Sequence, residues 1–539
     1  MWTQGWRDRT WYELNRPWDL IVIGGGITGA GILREATRSE LRTLLVEQRD
    51  FASGTSSRSS KLVHGGLRYL RNAQVRLTFD SVRERERLLR EGRGLISQMG
   101  FLMPGYAGDR VPSWIFGMGL ILYDFLALKW GHKRYDAEGL RELCPQLASE
   151  GLLGGYRFLD AQTDDARLVL RLILESVQDG GVALNYAGVE DLLRLRSGEA
   201  CGVVVRDSAP EGGGRTIEVR GTAIINATGA WADGLRQRLG ARRRLRKLRG
   251  GHLIFPFAKL PLTRAVSVLH PDDGRPVFAF PWEGVTLVGT TDVEHGEDLA
   301  LEPSTSREEA EYLLRVTNWA FPSLELCLED AQGTFAGVRA VVDTGKANPS
   351  KESREHVLWN ESNLLTVTGG KLTTFRLMAH AALRAIRSRF SGKPPLDPHR
   401  RMLEPPPSER CIQADVHPGS CQRLLGRYGS QAPALVAAAH PGELEAIGGG
   451  PWLWAELRWA ARSEGVVHLD DLLLRRVRLG LTLPLGGLPW MDRVRSVVQR
   501  DLEWDNERWE RERGAYERLW TDSYRVPGVR QEPVSVPLG

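Results

Sequence analysis

Cysteine is scarce in this chain of 539 residues. The five present (Cys144, Cys201, Cys327, Cys411, Cys421) are scattered, odd in number and form no C-x-x-C pair. That excludes a disulfide framework and a cysteine zinc site, and it points to the reduced cytoplasm. Lysine is scarce too: nine of the 72 basic residues are lysine and 63 are arginine. A lysine inside a motif is therefore more informative than an arginine. Charge of one sign is missing, since 72 basic against 67 acidic residues leave only +5. Nothing in that balance calls for a nucleic-acid partner, and none is expected. Long apolar runs are absent as well. Residues 1–17 hold Arg7, Arg9, Arg16 and three tryptophans without an apolar core, which excludes a secretory signal. The most apolar stretch, 114–128, includes Asp124 and is short of the about 20 residues a bilayer span needs. It is expected to be a buried helix, with a surface-lying membrane contact as the alternative. The 59 glycines follow no triplet, so collagen is excluded.

What is present allows a large core: 42% hydrophobic and 26% charged residues. Asp19–Ile23 is a short β-branched run ending in glycines and reads as a buried parallel strand. A helix follows from Gly29 to about Ser39, then a second strand, Thr43–Val46, ending at Glu47. Gly24-Gly-Gly26-Ile-Thr-Gly29 fits G-x-G-x-x-G at the strand-to-helix turn. Glycine allows the tight turn and the close approach of a pyrophosphate, and the helix N–H groups face its charge. Glu47 is placed to accept from ribose hydroxyls and would repel a 2′-phosphate, so the ligand is FAD or NAD rather than NADP.

Asn226-Ala-Thr-Gly229 returns about 200 residues later, and Gly369-Gly-Lys-Leu-Thr-Thr374 later still. A cofactor domain assembled from distant segments suits a long, extended ligand, which favours FAD. The fold class read from the sequence is α/β: a Rossmann-like FAD-binding domain over 18–390 (segments about 18–100, 160–250 and 335–390). An antiparallel-sheet substrate domain (about 101–159 and 251–334) is interleaved with it. A Pro-rich linker (391–407), a helical C-terminal domain (408–520) and a loose tail (521–539) follow.

Residues 18 to about 390 resemble the FAD-dependent glycerol-3-phosphate dehydrogenases of the aerobic, quinone-linked type, within the D-amino-acid-oxidase-like flavoproteins. The resemblance is carried by Asp19–Gly31, Thr55-Ser-Ser57, Ser59-Ser-Lys-Leu-Val-His-Gly-Gly-Leu-Arg-Tyr-Leu70 and Asp164–Leu170. Asn226–Gly229, Gly250-Gly-His252, Gly289–Asp292, Gly337-Val-Arg339 and Gly370–Thr374 continue it. The helical end, with Asp470-Asp-Leu-Leu-Leu-Arg-Arg476, is similar to the family's C-terminal domain. The family's usual proline after the active-site arginine is Ala340 here.

The resemblance implies oxidation of sn-glycerol 3-phosphate to dihydroxyacetone phosphate, with FAD as hydride acceptor and a membrane quinone beyond it. It implies a cytoplasmic enzyme held peripherally at the inner membrane face, with a homodimer left open. Oxidising a secondary alcohol needs a hydride acceptor, a base for the hydroxyl proton and cations for the phosphate. His64 and His252 are the base candidates, not separated at this stage. Arg68, Arg339 and Arg354 match phosphate-binding positions, and Arg339 can instead stabilise charge on the reacting oxygen. Lys371 is expected near substrate or flavin, and Tyr69 in the pocket. Cofactor contacts are assigned to Gly24, Gly26, Gly29, Glu47, Thr55, Ser56, Ser57, Lys61, Leu62, Gly370 and Thr373. No metal site is expected. The basic run Arg242–Arg249 reads as a solvated loop, or as a contact for anionic headgroups or RNA. The alternatives are an oxygen-using oxidase, a flavoprotein acting on another hydroxy or amino acid and, remotely, a flavin- or RNA-binding protein without turnover.

Overall fold

A computed structural model of the chain describes residues 2–66, 75–109, 113–127, 131–345, 355–412 and 415–529. The apolar run Trp18–Ile23 forms the expected strand, with Leu20, Ile21 and Val22 fully buried. Each such side chain contributes about 1.5–3 kcal/mol through burial. This strand pairs in parallel with Thr43–Val46 on one side and with Thr216–Asn226 on the other. The cofactor sheet then runs outward through Leu364–Thr368 to Val357–Glu361, and on the other flank to Val182–Leu184. An antiparallel ribbon, Ala187–Arg194 against Ala200–Asp207, attaches to Thr216–Asn226.

Helix Ile27–Arg38 packs between helices Asp165–Gln178 and Phe375–Ile386. Asp164 caps helix Asp165–Gln178, its carboxylate accepting from Arg167 N at 3.2 Å. A β-carbon on Gly31 would lie 2.8 Å from the Phe375 ring, so glycine sets the close helix–helix approach.

A second, mixed sheet carries Ile96–Tyr106, Leu152–Thr163, Ala265–Leu269, Pro276–Trp282, Val285–Gly289, Leu245–Pro256 and Gly333–Val342. It takes more of the chain than the expected substrate segments. Leu62–Val63, the start of Ile96–Tyr106, Leu245–Gly250 and Gly333–Val342 belong to it rather than to the cofactor sheet. The basic run is accordingly not a loop throughout. From Leu245 it is strand, where alternation turns Arg246 onto Glu294 (3.2 Å) and Arg249 onto Glu309 (2.8 Å), leaving Arg242–Arg244 exposed.

Helix Ser113–Ala127 departs from the expected burial. Ile115, Met118, Ile121, Leu122 and Phe125 are 41–68% exposed, while Leu120 and Tyr123 face inward. The Pro-rich linker is packed, because Met402 and Leu403 are fully buried and Arg34 Nε donates to Met402 O at 3.2 Å. The last long helix splits at Gln499–Asp505 into Met491–Val498 and Asn506–Ser523. The start of the tail is held as well: Thr334 N donates to Tyr524 O at 2.6 Å, and Tyr524 Oη donates to Glu302 at 2.7 Å.

The N-terminal extension forms helix Trp6–Glu13. Trp2 stacks on Phe51 (centroids 5.1 Å apart, 14° between planes) and packs over Gly465 of the helical part. Arg7 donates to Asp207 at 2.5 Å and to Asn185 O at 2.8 Å.

Candidate active site

The glycine turn is shaped by close approaches. Gly24 has φ 110°, and a β-carbon there would lie 2.7 Å from Ala227 O. A β-carbon on Gly29 would lie 1.9 Å from Gly24 O. Gly26 occupies the N-cap of Ile27–Arg38 without side-chain capping, and its β-carbon would fill the space before Ser56 Oγ, 3.0 Å away. Ser56 Oγ accepts from Ile27 N at 2.9 Å. Glu47 accepts from Gly25 N at 2.6 Å and from Arg49 N at 2.9 Å, and desolvation raises its pKa. A side-chain-free cradle at a helix N-terminus that its own sequence leaves uncapped fits the diphosphate of a dinucleotide cofactor.

The segment from Thr55 to Gly66 crosses from this cradle to the second sheet. Thr55 Oγ1 donates to Val338 O, and a β-carbon on Gly337 would meet Arg58 O at 2.5 Å. Ser57 O accepts from Lys61 Nζ at 3.0 Å and from Arg478 at 2.7 Å. Lys61 sits in the left-handed region (φ 56°), wholly buried, with its ammonium 3.1 Å from Asp165 and over the rings of Trp282 and Phe335. Burial, then the nearby Arg478, lower its pKa to about 8 despite Asp165. Its side chain is thus committed to an ion pair within the protein, and Leu62 is buried in its short strand.

His252, on strand Leu245–Pro256, is buried and stacks on Phe335 (4.4 Å, 5°). Its Nε2 is 2.9 Å from Ser60 Oγ, and its Nδ1 has no hydrogen-bond partner among the described residues. Burial and the cations Lys61 and Arg339 push its pKa down to about 3, so the imidazole is neutral. Arg339, on the adjacent strand Gly333–Val342, donates to Thr291 O at 3.1 Å and pairs with Asp292 at 2.9 Å. These two bonds orient its guanidinium.

On the other side of the segment lies the turn after strand Leu364–Thr368. Gly369 and Gly370 both have positive φ (73° and 70°), and a β-carbon on Gly370 would strike Met378 Sδ at 2.4 Å. Lys371 Nζ donates to Ser81 Oγ at 2.9 Å, and Thr373 Oγ1 donates to His64 O at 3.2 Å. Thr373 therefore meets the segment at His64, and His252 meets it at Ser60. Arg68, Tyr69 and Arg354 lie outside the described residues.

Residues 19–382 match the family described as FAD dependent oxidoreductase, and residues 377–509 match the C-terminal domain of alpha-glycerophosphate oxidase. The aerobic glycerol-3-phosphate dehydrogenase of Staphylococcus aureus (strain USA300) is 35% identical over 491 residues, covering 86% of this chain and 87% of that one. The chain belongs to the FAD-dependent glycerol-3-phosphate dehydrogenase family. A second such relative, from Bacillus subtilis (strain 168), is 37% identical over 391 residues, 71% of this chain and 69% of its own. The glycerol-3-phosphate dehydrogenase from Bacillus halodurans, solved in complex with FAD, superposes with a TM-score of 0.79 at 28% identity. It covers 99% of this chain and 100% of that one.

As a member of this glycerol-3-phosphate dehydrogenase family, the enzyme uses FAD as its cofactor. Several residues that arrange its site escaped the sequence reading. Ser60 and Asp165 stand inside motifs that were noticed, without a role of their own. Asp292 ended a noticed motif, and its pairing with Arg339 needs the sheet register to become visible. Ser81 and Arg478 carried no signal, since one is an ordinary helical serine and the other is one arginine of 63.

Proposed function

We propose that the enzyme oxidises sn-glycerol 3-phosphate to dihydroxyacetone phosphate and passes the electrons to a membrane quinone. The observation that carries the substrate is the 35% identity over 491 residues to an aerobic glycerol-3-phosphate dehydrogenase. Bound FAD supplies the hydride acceptor, held by the Gly24–Gly29 cradle, Ser56 and Glu47.

The chain's own residues do the rest. Arg339, oriented by Asp292, and Lys371, oriented by Ser81, present positive charge to the phosphate or the reacting oxygen. His64 is the better base of the two histidines. His252, pushed down to about 3, is too weak a proton acceptor near neutral pH, and it serves as a neutral wall and hydrogen-bonding group.

The apolar face of helix Ser113–Ala127 supports a membrane-dissolved acceptor. Its exposed Ile115, Met118, Ile121, Leu122 and Phe125, with Lys133 and Arg134 exposed just beyond, suit an interfacial helix lying in anionic headgroups. No helix among the described residues is long and apolar enough to span a membrane. Peripheral attachment would bring the enzyme to a lipid-dissolved quinone.

Anaerobic addition of glycerol 3-phosphate tests the first half: the flavin absorbance should bleach, and an unbleached flavin overturns the substrate. A second reading, an oxygen-using oxidase, draws on the match of residues 377–509 to the alpha-glycerophosphate oxidase C-terminal domain. Reoxidation of the bleached flavin separates the two. Fast return with a short-chain quinone and slow return with oxygen supports the dehydrogenase; the reverse supports the oxidase.

A further inference from the structure

Among the described residues, the contact between the helical C-terminal part and the cofactor domain is unusually rich in buried charge. Arg167 pairs with Glu464 at 2.6 Å, Arg427 with Asp164 at 2.6 Å, and Arg476 with Asp50 at 2.6 Å. Most of these pairs have a plain structural account, since a buried charge needs a partner. Arg478 differs from the others in where its bonds lead.

Arg478 is fully buried, and its backbone lies in the left-handed region (φ 65°), which side-chain-bearing residues disfavour. Its guanidinium donates to Ser57 O at 2.7 Å and lies 3.5 Å from Asp165 and 3.7 Å from Asp164. Asp165 is itself a hub. One of its oxygens accepts from Ser59 N at 3.0 Å and Ser59 Oγ at 2.7 Å; the other is 3.1 Å from Lys61 Nζ. Ser59 Oγ in turn accepts from Lys61 N at 3.0 Å, fixing the backbone on both sides of Ser60. Ser60 is the residue whose hydroxyl meets His252 Nε2. A continuous chain of bonds therefore runs from the C-terminal part to a histidine of the candidate active site.

We propose that Arg478 is a positioning residue: through Ser57 and Asp165 it sets the Ser59–Lys61 turn, and so the Ser60 hydroxyl that orients His252. The inference rests on the reading above that His252 lines the substrate site. It makes the C-terminal part a component of that site. Two physical facts support a specific role over general packing. The turn is strained at Lys61, so an unclamped turn has a lower-energy place to go. Arg478 also stands second only to burial among the causes that lower the Lys61 pKa, so it acts on the electrostatics beside His252 as well as on the turn.

The test uses the full-length, FAD-loaded enzyme with ¹⁵N-labelled histidine. Arg478→Gln should stay yellow and lose on the order of 10²-fold in kcat/KM, as expected for a displaced orienting group. The Lys61 ammonium, no longer beside Arg478, should titrate at higher pH, and the His252 Nε2 resonance, assigned with His252→Gln, should shift. Arg478→Lys should restore part of each effect. Arg423→Gln, a buried ion-pair loss within the helical part itself, should lower the unfolding midpoint and leave the His252 resonance and the pH profile in place. A folded, yellow Arg478→Gln with kcat/KM within about twofold of wild type and an unmoved His252 resonance overturns the proposal. If Arg478→Gln does not fold, Ser59→Ala decides: it cuts the same chain at the surface of the turn. A shifted His252 resonance sustains the proposal, and an unshifted one overturns it. Wild-type flavin left unbleached by glycerol 3-phosphate would remove the substrate reading, while the nitrogen resonances would still judge the positioning.

Discussion

Asp50 receives both Arg475 and Arg476: Arg475 Nε donates at 2.6 Å, and Arg476 donates through two nitrogens at 2.6 and 2.7 Å. The aspartate lies in the turn after the second strand of the cofactor sheet, and the arginines come from the helical part. The same turn touches the glycine cradle, since Ala52 N donates to Gly25 O at 3.0 Å and the Phe51 ring lies against Gly25.

Acid should loosen this joint. Burial alone would raise the Asp50 pKa; Arg476 and Arg475 outweigh it and hold the group at about 2. A carboxylate whose folded pKa is depressed contributes stability above its ordinary pKa and loses it as pH falls toward the folded value. Unfolding free energy should therefore drop between about pH 4 and pH 2. Asp50→Asn should cost about 3 kcal/mol at neutral pH and flatten that part of the profile. Urea titrations across pH check both; a variant with wild-type acid sensitivity contradicts the assignment.

Gly29→Ala should yield colourless protein. The new methyl would occupy space 1.9 Å from Gly24 O, so the turn must open and the cradle with it. The ratio of flavin to protein absorbance after purification is the measurement. Gly26→Val should act the same way by filling the cradle from within.

Arg339→Ala should keep its FAD and lose roughly 10²–10³-fold in kcat/KM, the range for removal of a fixed electrostatic donor. Steady-state kinetics beside a flavin count check this. A near-normal rate would place the phosphate and the alkoxide elsewhere.

Met118→Glu with Phe125→Glu should abolish flotation with vesicles containing anionic lipid, and leave turnover with a soluble acceptor unchanged. Both side chains are more than half exposed, at 58% and 68%, so folding should be spared. Flotation that survives the double change would remove this helix from the membrane contact.

Much of the fold was readable in advance because its signals are local. The β-branched run Leu20–Ile23, the glycines after it and the Asp164 cap each act over a few residues. The helix 113–127 was misread because its mean hydropathy is high throughout. Only the spacing of Met118, Ile121, Leu122 and Phe125 on one face separates outward from inward positions, and that spacing means little without knowing which face is covered. The sheet boundary at Leu245 was hidden because arginine-rich strands look like loops until acidic partners on neighbouring strands, Glu294 among them, are seen opposite. Within the site, the glycines and the histidines were legible as motif members. The residues that orient them, Ser60, Asp165, Asp292 and Arg478, come together across 47 to 421 positions of chain, so the pairings exist only in the folded protein.

The stacking of Trp2 on Phe51 has a corollary. Because the indole is 5% exposed and wedged between the cofactor turn and Gly465, an altered Trp2 would be felt at Phe51, whose ring lies against Gly25 of the cradle.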